Sequence, residues 1–270
     1  MLKIIISHDV DHIHAWEHTH DLMIPKYLAR NIMEIISGKI TMKEFYLRHR
    51  NLIKNKWNNI EELLNFDLQN SVPSTFFIAV SKGLGLNYSL KESELWIKKI
   101  LTKKIDIGLH GIAFKNIQDI QSEWIKFKKI SKLNEFGMRI HYLRYNNHTL
   151  DNLEAIGFTY DSTLYKIQKP RKKVKLWEFP LQIMDICLFE KKNRWQDQTL
   201  QQAKDETKRI IDQSIRKEIR YLNILSHDRY FTESYKSWKT WYIWMIDYFK
   251  NNSFEFINYR NAIRELEGSY

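Results

Sequence analysis

The chain is poor in the residues that make linkers and covalent staples: 270 residues hold one cysteine, four prolines and eight glycines. A single cysteine, Cys187, cannot form an internal disulfide, which excludes the stapled secreted scaffolds and fits a reducing compartment. So little proline and glycine excludes collagen-like repeats and low-complexity tails. No stretch approaches the ~20 consecutive apolar residues of a membrane helix. The opening Met-Leu-Lys-Ile-Ile-Ile runs straight into charged residues and histidines, so no export signal is read there. The expectation is a cytoplasmic protein with no transmembrane segment.

What is present points to a packed domain. Hydrophobic residues make up 43% and aromatics 14%, enough for a sizeable core. Neither an internal repeat nor a linker is visible, so residues 1–270 read as a single domain. Forty-three lysines and arginines against 32 acids give a net charge of +11. That balance invites a nucleic-acid reading, yet the cations are scattered. Their densest run, Lys169-Pro-Arg-Lys-Lys-Val-Lys175, reads as a solvated loop with no recognised binding motif beside it. No nucleic-acid partner is expected; attraction to anionic substrates, or peripheral association with an anionic membrane surface, stays open.

Strands and helices alternate. Apolar or β-branched runs predict strands over 2–6, 74–80, 105–110, 137–143, 159–161, 220–225 and 254–257, with 177–186 extended. Helical spacing predicts helices within 24–68 and over 93–103, 117–133, 149–156, 199–219 and 237–251. The last is rich in aromatics (Trp238, Trp241, Tyr242, Trp244, Met245, Tyr248) and reads mainly as core. Such alternation predicts an α/β fold with a parallel sheet, open or closed into a barrel.

The titratable residues fall in a telling place. Asp9, Asp11, His110, His141 and His227 each lie at or just beyond the C-terminal end of a predicted strand, the end where parallel sheets gather their site loops. A lone buried histidine is more often a hydrogen-bonded core residue; five such groups at the ends of four strands argue for a site. Asp9 and Asp11 flank Val10, so an extended chain points both carboxylates to one side. A divalent cation would relieve their repulsion, leaving one carboxylate as ligand and the other free to take a proton. Histidines would complete an N/O shell suited to zinc or a related ion.

Read in order, these segments resemble the polysaccharide deacetylases of the NodB-homology group, carbohydrate esterase family four. The likeness is carried by Ser7-His-Asp-Val-Asp11, Ser74-Thr-Phe-Phe77, Gly108-Leu-His-Gly-Ile-Ala-Phe114, Arg139-Ile-His-Tyr142, Gly157-Phe-Thr-Tyr-Asp-Ser-Thr163, Phe179-Pro-Leu-Gln-Ile-Met-Asp185 and Ile224-Leu-Ser-His227. Each piece is short, but they span nearly the whole chain in the family's order. The resemblance implies a single-domain distorted barrel of about seven β/α units that removes an acetyl group from a sugar with a divalent metal, zinc first. It implies that Asp9 is the general base, Arg139 its orienting partner, Asp11 and His110 metal ligands, His227 the general acid and Asp185 its tuning carboxylate. The Tyr142 backbone would help hold the substrate's oxyanion.

Two departures qualify the likeness. Phe114 stands where the family has a second metal-binding histidine. His141 could supply the third ligand, since it follows Arg139 in extended alternation; His12 or His14 could reach in from the first loop; or metal binding is lost and the protein is a carbohydrate-binding or assembly module. The second departure is a helical insertion over 12–70, either a peripheral hairpin or a lid on which Trp16 stacks against a sugar. The absent export signal suits a cytoplasmic carbohydrate substrate of surface-polysaccharide synthesis, sugar-nucleotide or lipid-linked. Hydrolysis of another C–N amide bond is the further alternative.

Overall fold

The structure, a computed structural model, describes residues 2–268. Its centre is β1 (Lys3–Val10), a strand buried along its whole length after Lys3. A run apolar on both faces suits only an interior strand of a parallel sheet. The other strands are β2 (Thr75–Ile78), β3 (Asp106–Gly111), β4 (Met138–Ile140), β5 (Tyr160–Asp161), β6 (Arg171–Lys173), β7 (Leu176–Glu178), β8 (Ile183–Met184), β9 (Tyr221–His227) and β10 (Glu255–Phe256). They form one sheet in the order β6-β7-β5-β4-β3-β2-β1-β9-β8, with β10 beside β1. All pairings are parallel except the β6–β7 hairpin.

The sheet curls, and a four-residue crossing ties its two ends together. β7 and β8 lie toward opposite edges yet are separated in sequence only by 179–182. Phe179 donates its N–H to the Asp161 carbonyl (2.8 Å), and Gln182 donates to the Asn223 carbonyl (3.0 Å). The crossing therefore bonds to β5 on one side and β9 on the other, joining the edges into an incomplete barrel. Pro180, with no N–H to satisfy, fits the gap between those bonds.

Ten helices surround the described sheet: α1 (Met23–Ile36), α2 (Met42–Ile53), α3 (Ile60–Gln69), α4 (Leu90–Thr102), α5 (Ile117–Ser131), α6 (Thr149–Ile156), α7 (Asp185–Phe189), α8 (Leu200–Arg216), α9 (Lys236–Asn251) and α10 (Tyr259–Glu267). The strand period of two divides the core accordingly. Ile4, Ile6 and Val10 join the large cluster under the helices, while Ile5, Phe77, Tyr160, Phe179, Tyr221 and Tyr259 fill the barrel interior. Continuing the inward register of Ile5 gives Ser7 and Asp9 on β1, with Asp11 just beyond. On the neighbours it gives Arg139, His110 and His227.

The insertion is firmly seated. His8, on the outward register, donates from Nε2 to Asp67 of α3 (2.8 Å), and the Tyr242 hydroxyl of α9 donates to the same carboxylate (2.7 Å). Arg48 of α2 is fully buried, donating to Asn31 (3.0 Å) and to the Ser234 carbonyl (2.8 Å) and pairing with Glu34. These buried polar links hold α1–α3 against the β9–α9 connection.

Several elements depart from the sequence reading. β1 extends to Val10, since Ser7, His8 and Asp9 find ladder and side-chain partners that polarity alone does not reveal. The strand expected over 137–143 ends at Ile140, where a 3-10 turn begins and Tyr142 adopts φ 58°. The extended stretch expected over 177–186 is cut by the crossing, and its last residues open α7 at Asp185. The basic run is no free loop: Arg171–Lys173 form β6, with Arg171 paired to Glu178, Lys172 to Glu267 and Lys173 to Asp151. In α9, Trp238, Trp241, Tyr242 and Met245 are buried, as core requires. No described helix is long and apolar enough to cross a membrane.

Asp161 gives this core a pH signature. Burial raises its pKa from 3.8 to about 7, against the opposing bonds from Thr163. The folded chain thus holds a proton that the unfolded chain sheds first, so this stabilising contribution is complete below about pH 4 and is lost as pH rises to 7. In urea unfolding, Asp161→Asn should flatten the decline of stability over that window by up to about 1.4 kcal/mol per pH unit. An unchanged slope would refute the assignment.

Candidate metal and acid–base centre

Three side chains meet beyond the C-terminal ends of β1, β3 and β4. His110 Nε2 lies 3.1 Å from Asp11 Oδ1 and 3.0 Å from His141 Nδ1, and His141 Nδ1 lies 3.5 Å from Asp11 Oδ1. The backbone sets both imidazoles. His110 Nδ1 donates to the Arg139 carbonyl (3.1 Å), and His141 Nε2 donates to the Leu84 carbonyl (3.2 Å). When neither facing nitrogen carries a proton, two lone pairs and a carboxylate at this spacing repel, and a cation between them relieves that repulsion. Ligands about 2.0–2.1 Å from a tetrahedral zinc stand roughly 3.3 Å apart, a value these three separations bracket. The donor set and its spacing fit a zinc-like ion, with the carbonyl acceptors fixing the imidazoles from behind.

His141 reaches this cluster through the turn after β4 rather than by strand alternation. Phe114 takes no part. Its ring packs on the core with the Arg144 guanidinium 4.9 Å from its centroid. His14 faces Glu92 and the Asn55 carbonyl, and His12 groups with His18, so neither first-loop histidine is in the cluster.

Asp9 sits beside the cluster, with Oδ2 4.0 Å from His110 Nε2. Its other oxygen accepts from Arg139 Nη1 at 2.8 Å. Arg139 is wholly buried and anchored at every turn: Nε donates to the Ser162 carbonyl (2.9 Å), and Nη2 to Ser7 (2.8 Å), Ser162 (2.8 Å) and Tyr259 (2.9 Å). Sequence reading gave Ser162 no role beyond its motif and missed Tyr259. The Asn258 cap, the Ala262–Ile263–Leu266 spacing and Gly268 after them were the available signals for α10, which carries Tyr259.

A second dyad lies across β9. His227 Nδ1 donates to Asp185 Oδ1 (2.8 Å) and its N–H to Oδ2 (2.7 Å), while Nε2 stands 3.7 Å from Asp11 Oδ2. Burial opposes the charged ring, but Asp185, then Asp11 and Asp9, outweigh it and raise His227 to about 10. For Asp11, burial is likewise overcome: His141 and His110 hold it well below the carboxylate range.

These groups open into a cleft of about 630 Å³ lined by Asp9, Asp11, His141 and His227. Tyr142, 63% exposed, stands on its wall with its ring 4.0 Å from that of His141. Trp16, 52% exposed, is not among the lining residues. The insertion contributes His12, Met23, Lys26 and Arg30 instead, and the loops add Arg194 and Arg229.

No family model and no curated protein matches the chain. Solved structures do. A Mycobacterium smegmatis protein assigned as a polysaccharide deacetylase superposes with a TM-score of 0.65 at 15% identity, over 99% of this chain and 90% of that one. The PuuE allantoinase gives 0.62 at 12% identity, over 100% and 91%. A Pseudomonas aeruginosa PAO1 protein, also assigned as a polysaccharide deacetylase, gives 0.61 at 10%, over 100% and 92%. Identities this low speak for fold alone, and the fold is the one the motifs implied: the curled α/β barrel of the NodB-type polysaccharide deacetylases.

Proposed function

We propose that the protein is a metal-dependent hydrolase that removes an acetyl group from a sugar intermediate of surface-polysaccharide biosynthesis. One observation carries the reading: a carboxylate–arginine pair, a carboxylate–two-histidine cluster and a carboxylate–histidine pair meet at a single cleft. An ion held by Asp11, His110 and His141 would act as Lewis acid toward the acetyl carbonyl and the attacking water. Asp9 takes the proton from that water, its free oxygen aimed by the fixed Arg139. His227, kept protonated by Asp185, gives its Nε2 proton to the departing sugar nitrogen or oxygen, and acetate is released. Tyr142, on the cleft wall beside His141, would contact the substrate.

The cleft wall supports the substrate class. Glu190 is already paired with Arg30 (2.7 Å), which leaves Lys26, Arg194 and Arg229 to bias the field toward anions. That suits the phosphates of a sugar nucleotide or lipid-linked sugar. The fully seated insertion makes α1 a fixed wall, with no role for Trp16 required.

Acetate release from a panel of N-acetylated sugar nucleotides, with and without chelator, tests the proposal. Release that chelator abolishes and zinc or cobalt restores is expected. A protein that holds no ion and is indifferent to chelator and added metal would instead be a carbohydrate-binding module. Turnover confined to non-sugar amides would overturn the substrate class.

A further inference from the structure

We propose a second metal site, separate from the Asp11–His110–His141 cluster, in which His12, Glu17 and His18 hold a structural divalent ion at the root of the insertion. His12 is the residue after Asp11, and a short 3-10 turn, Ala15–His18, folds Glu17 and His18 back beside it. The His12 and His18 rings lie 4.7 Å apart, centroid to centroid, at 76°. One ligand atom from each of the three residues lies within 4.8 Å of the others.

Two ring nitrogens here are left over. His18 is fully buried and His12 is 7% exposed, yet His18 Nε2 and His12 Nδ1 have no hydrogen-bond partner. Native proteins rarely leave buried ring nitrogens unpaired. His18 Nδ1 lies 2.9 Å from Asp21 Oδ2 and 3.2 Å from Asn87 Nδ2; with the proton on Nδ1, directed at the carboxylate, Nε2 carries the lone pair. This is the carboxylate–histidine arrangement that backs metal ligands. His18 Nε2 stands 3.4 Å from Glu17 Oε1, close to the roughly 3.3 Å between two ligands of a tetrahedral zinc. The Glu17 carboxylate is itself fixed by the N–H groups of Ile13 (3.1 Å) and His14 (3.3 Å).

Charge and solvent exclusion agree. The carboxylates of Glu17 and Asp21 balance a divalent ion, although the Arg229 guanidinium is near, 4.3 Å from the Trp57 centroid. Trp57 covers both rings, at 5.6 Å from His12 and 5.1 Å from His18. Two imidazoles and one carboxylate select zinc, cobalt or nickel over calcium or magnesium. Because His12 directly follows Asp11, an ion here would fix the loop that presents Asp11 to the cleft.

The site does not depend on the hydrolase reading, and the two can fail separately. Full-length chain stripped by chelator would be titrated with Co²⁺, following visible absorption, and counted for bound ions by elemental analysis. Two ions per chain are expected, with one in His18→Ala, one in His110→Ala and none in the double variant. Glu17→Gln, which keeps the side chain's shape, should weaken one of the two ions at least tenfold, and Asp21→Asn should do so about 10–100-fold. An unchanged circular-dichroism spectrum in Glu17→Gln guards against misfolding. Two ions in both His18→Ala and Glu17→Gln, or a single wild-type ion lost in His110→Ala, overturns the proposal and leaves water between the rings. A single ion that survives in His110→Ala but not in His18→Ala upholds this site and counts against the other.

Discussion

Asp9→Asn is expected to lower turnover about 10²–10⁴-fold while the ion at Asp11 and His110 stays in place. The amide is nearly the shape of the carboxylate, and its oxygen can still accept from Arg139 Nη1, so the barrel wall should hold. What it cannot do is take a proton. The separation of 4.0 Å between Asp9 Oδ2 and His110 Nε2 already sets Asp9 apart from the tighter cluster, whose contacts are 3.0–3.5 Å. Acetate release and metal content measured on the same preparation decide the matter. Loss of metal in step with turnover would make Asp9 a ligand, and undiminished turnover would remove it as base. Arg139→Lys should follow Asp9→Asn in direction, because one ammonium cannot replace a planar fork that binds Asp9, Ser7, Ser162 and Tyr259 together.

The inward face of the barrel was legible because it rests on a period of two and on strand ends. Asp9, His110 and His227 followed from strand ends and Arg139 from the family likeness; Asp9 and His227 line one cleft, with Arg139 and His110 bonded just behind it. The elements that escaped depend on tertiary partners. β6 is a strand through its ladder to β7, and Glu178, Glu267 and Asp151 pair its three adjacent cations, partners of which two lie far away in sequence. The 179–182 crossing is neither strand nor helix, and its meaning lies in reaching two strands far apart in sequence. His8, inside the first motif, points outward to Asp67 and Tyr242, since a polar residue on the outward register can still be satisfied by a helix. The cations of the cleft wall come from α1 and from loops, where no periodicity marks a lining residue.

His141→Ala should remove one ion per chain, and with it the stabilisation that zinc gives the parent protein. A ligand present at 100 times its dissociation constant stabilises the folded chain by about 2.7 kcal/mol, so the loss should be plain as a reduced melting shift on zinc addition. The argument rests on where the turn after β4 places the ring. With Tyr142 at φ 58° and Leu143 at φ 50°, the chain reverses at His141 instead of running on as a strand. That reversal sets Nε2 against the Leu84 carbonyl and turns Nδ1 toward His110 and Asp11. The position of Phe114 cannot compensate, because its ring is committed to the core beneath Arg144. A variant with alanine at 141 thus leaves Asp11 and His110 as a two-ligand remnant, and affinity should fall by more than the 10–100-fold typical of an outer-shell partner. Equal metal content and equal melting shifts in the variant and the parent would show that the third ligand lies elsewhere. His148→Ala, on the exposed start of α6, is the matched control that should change neither.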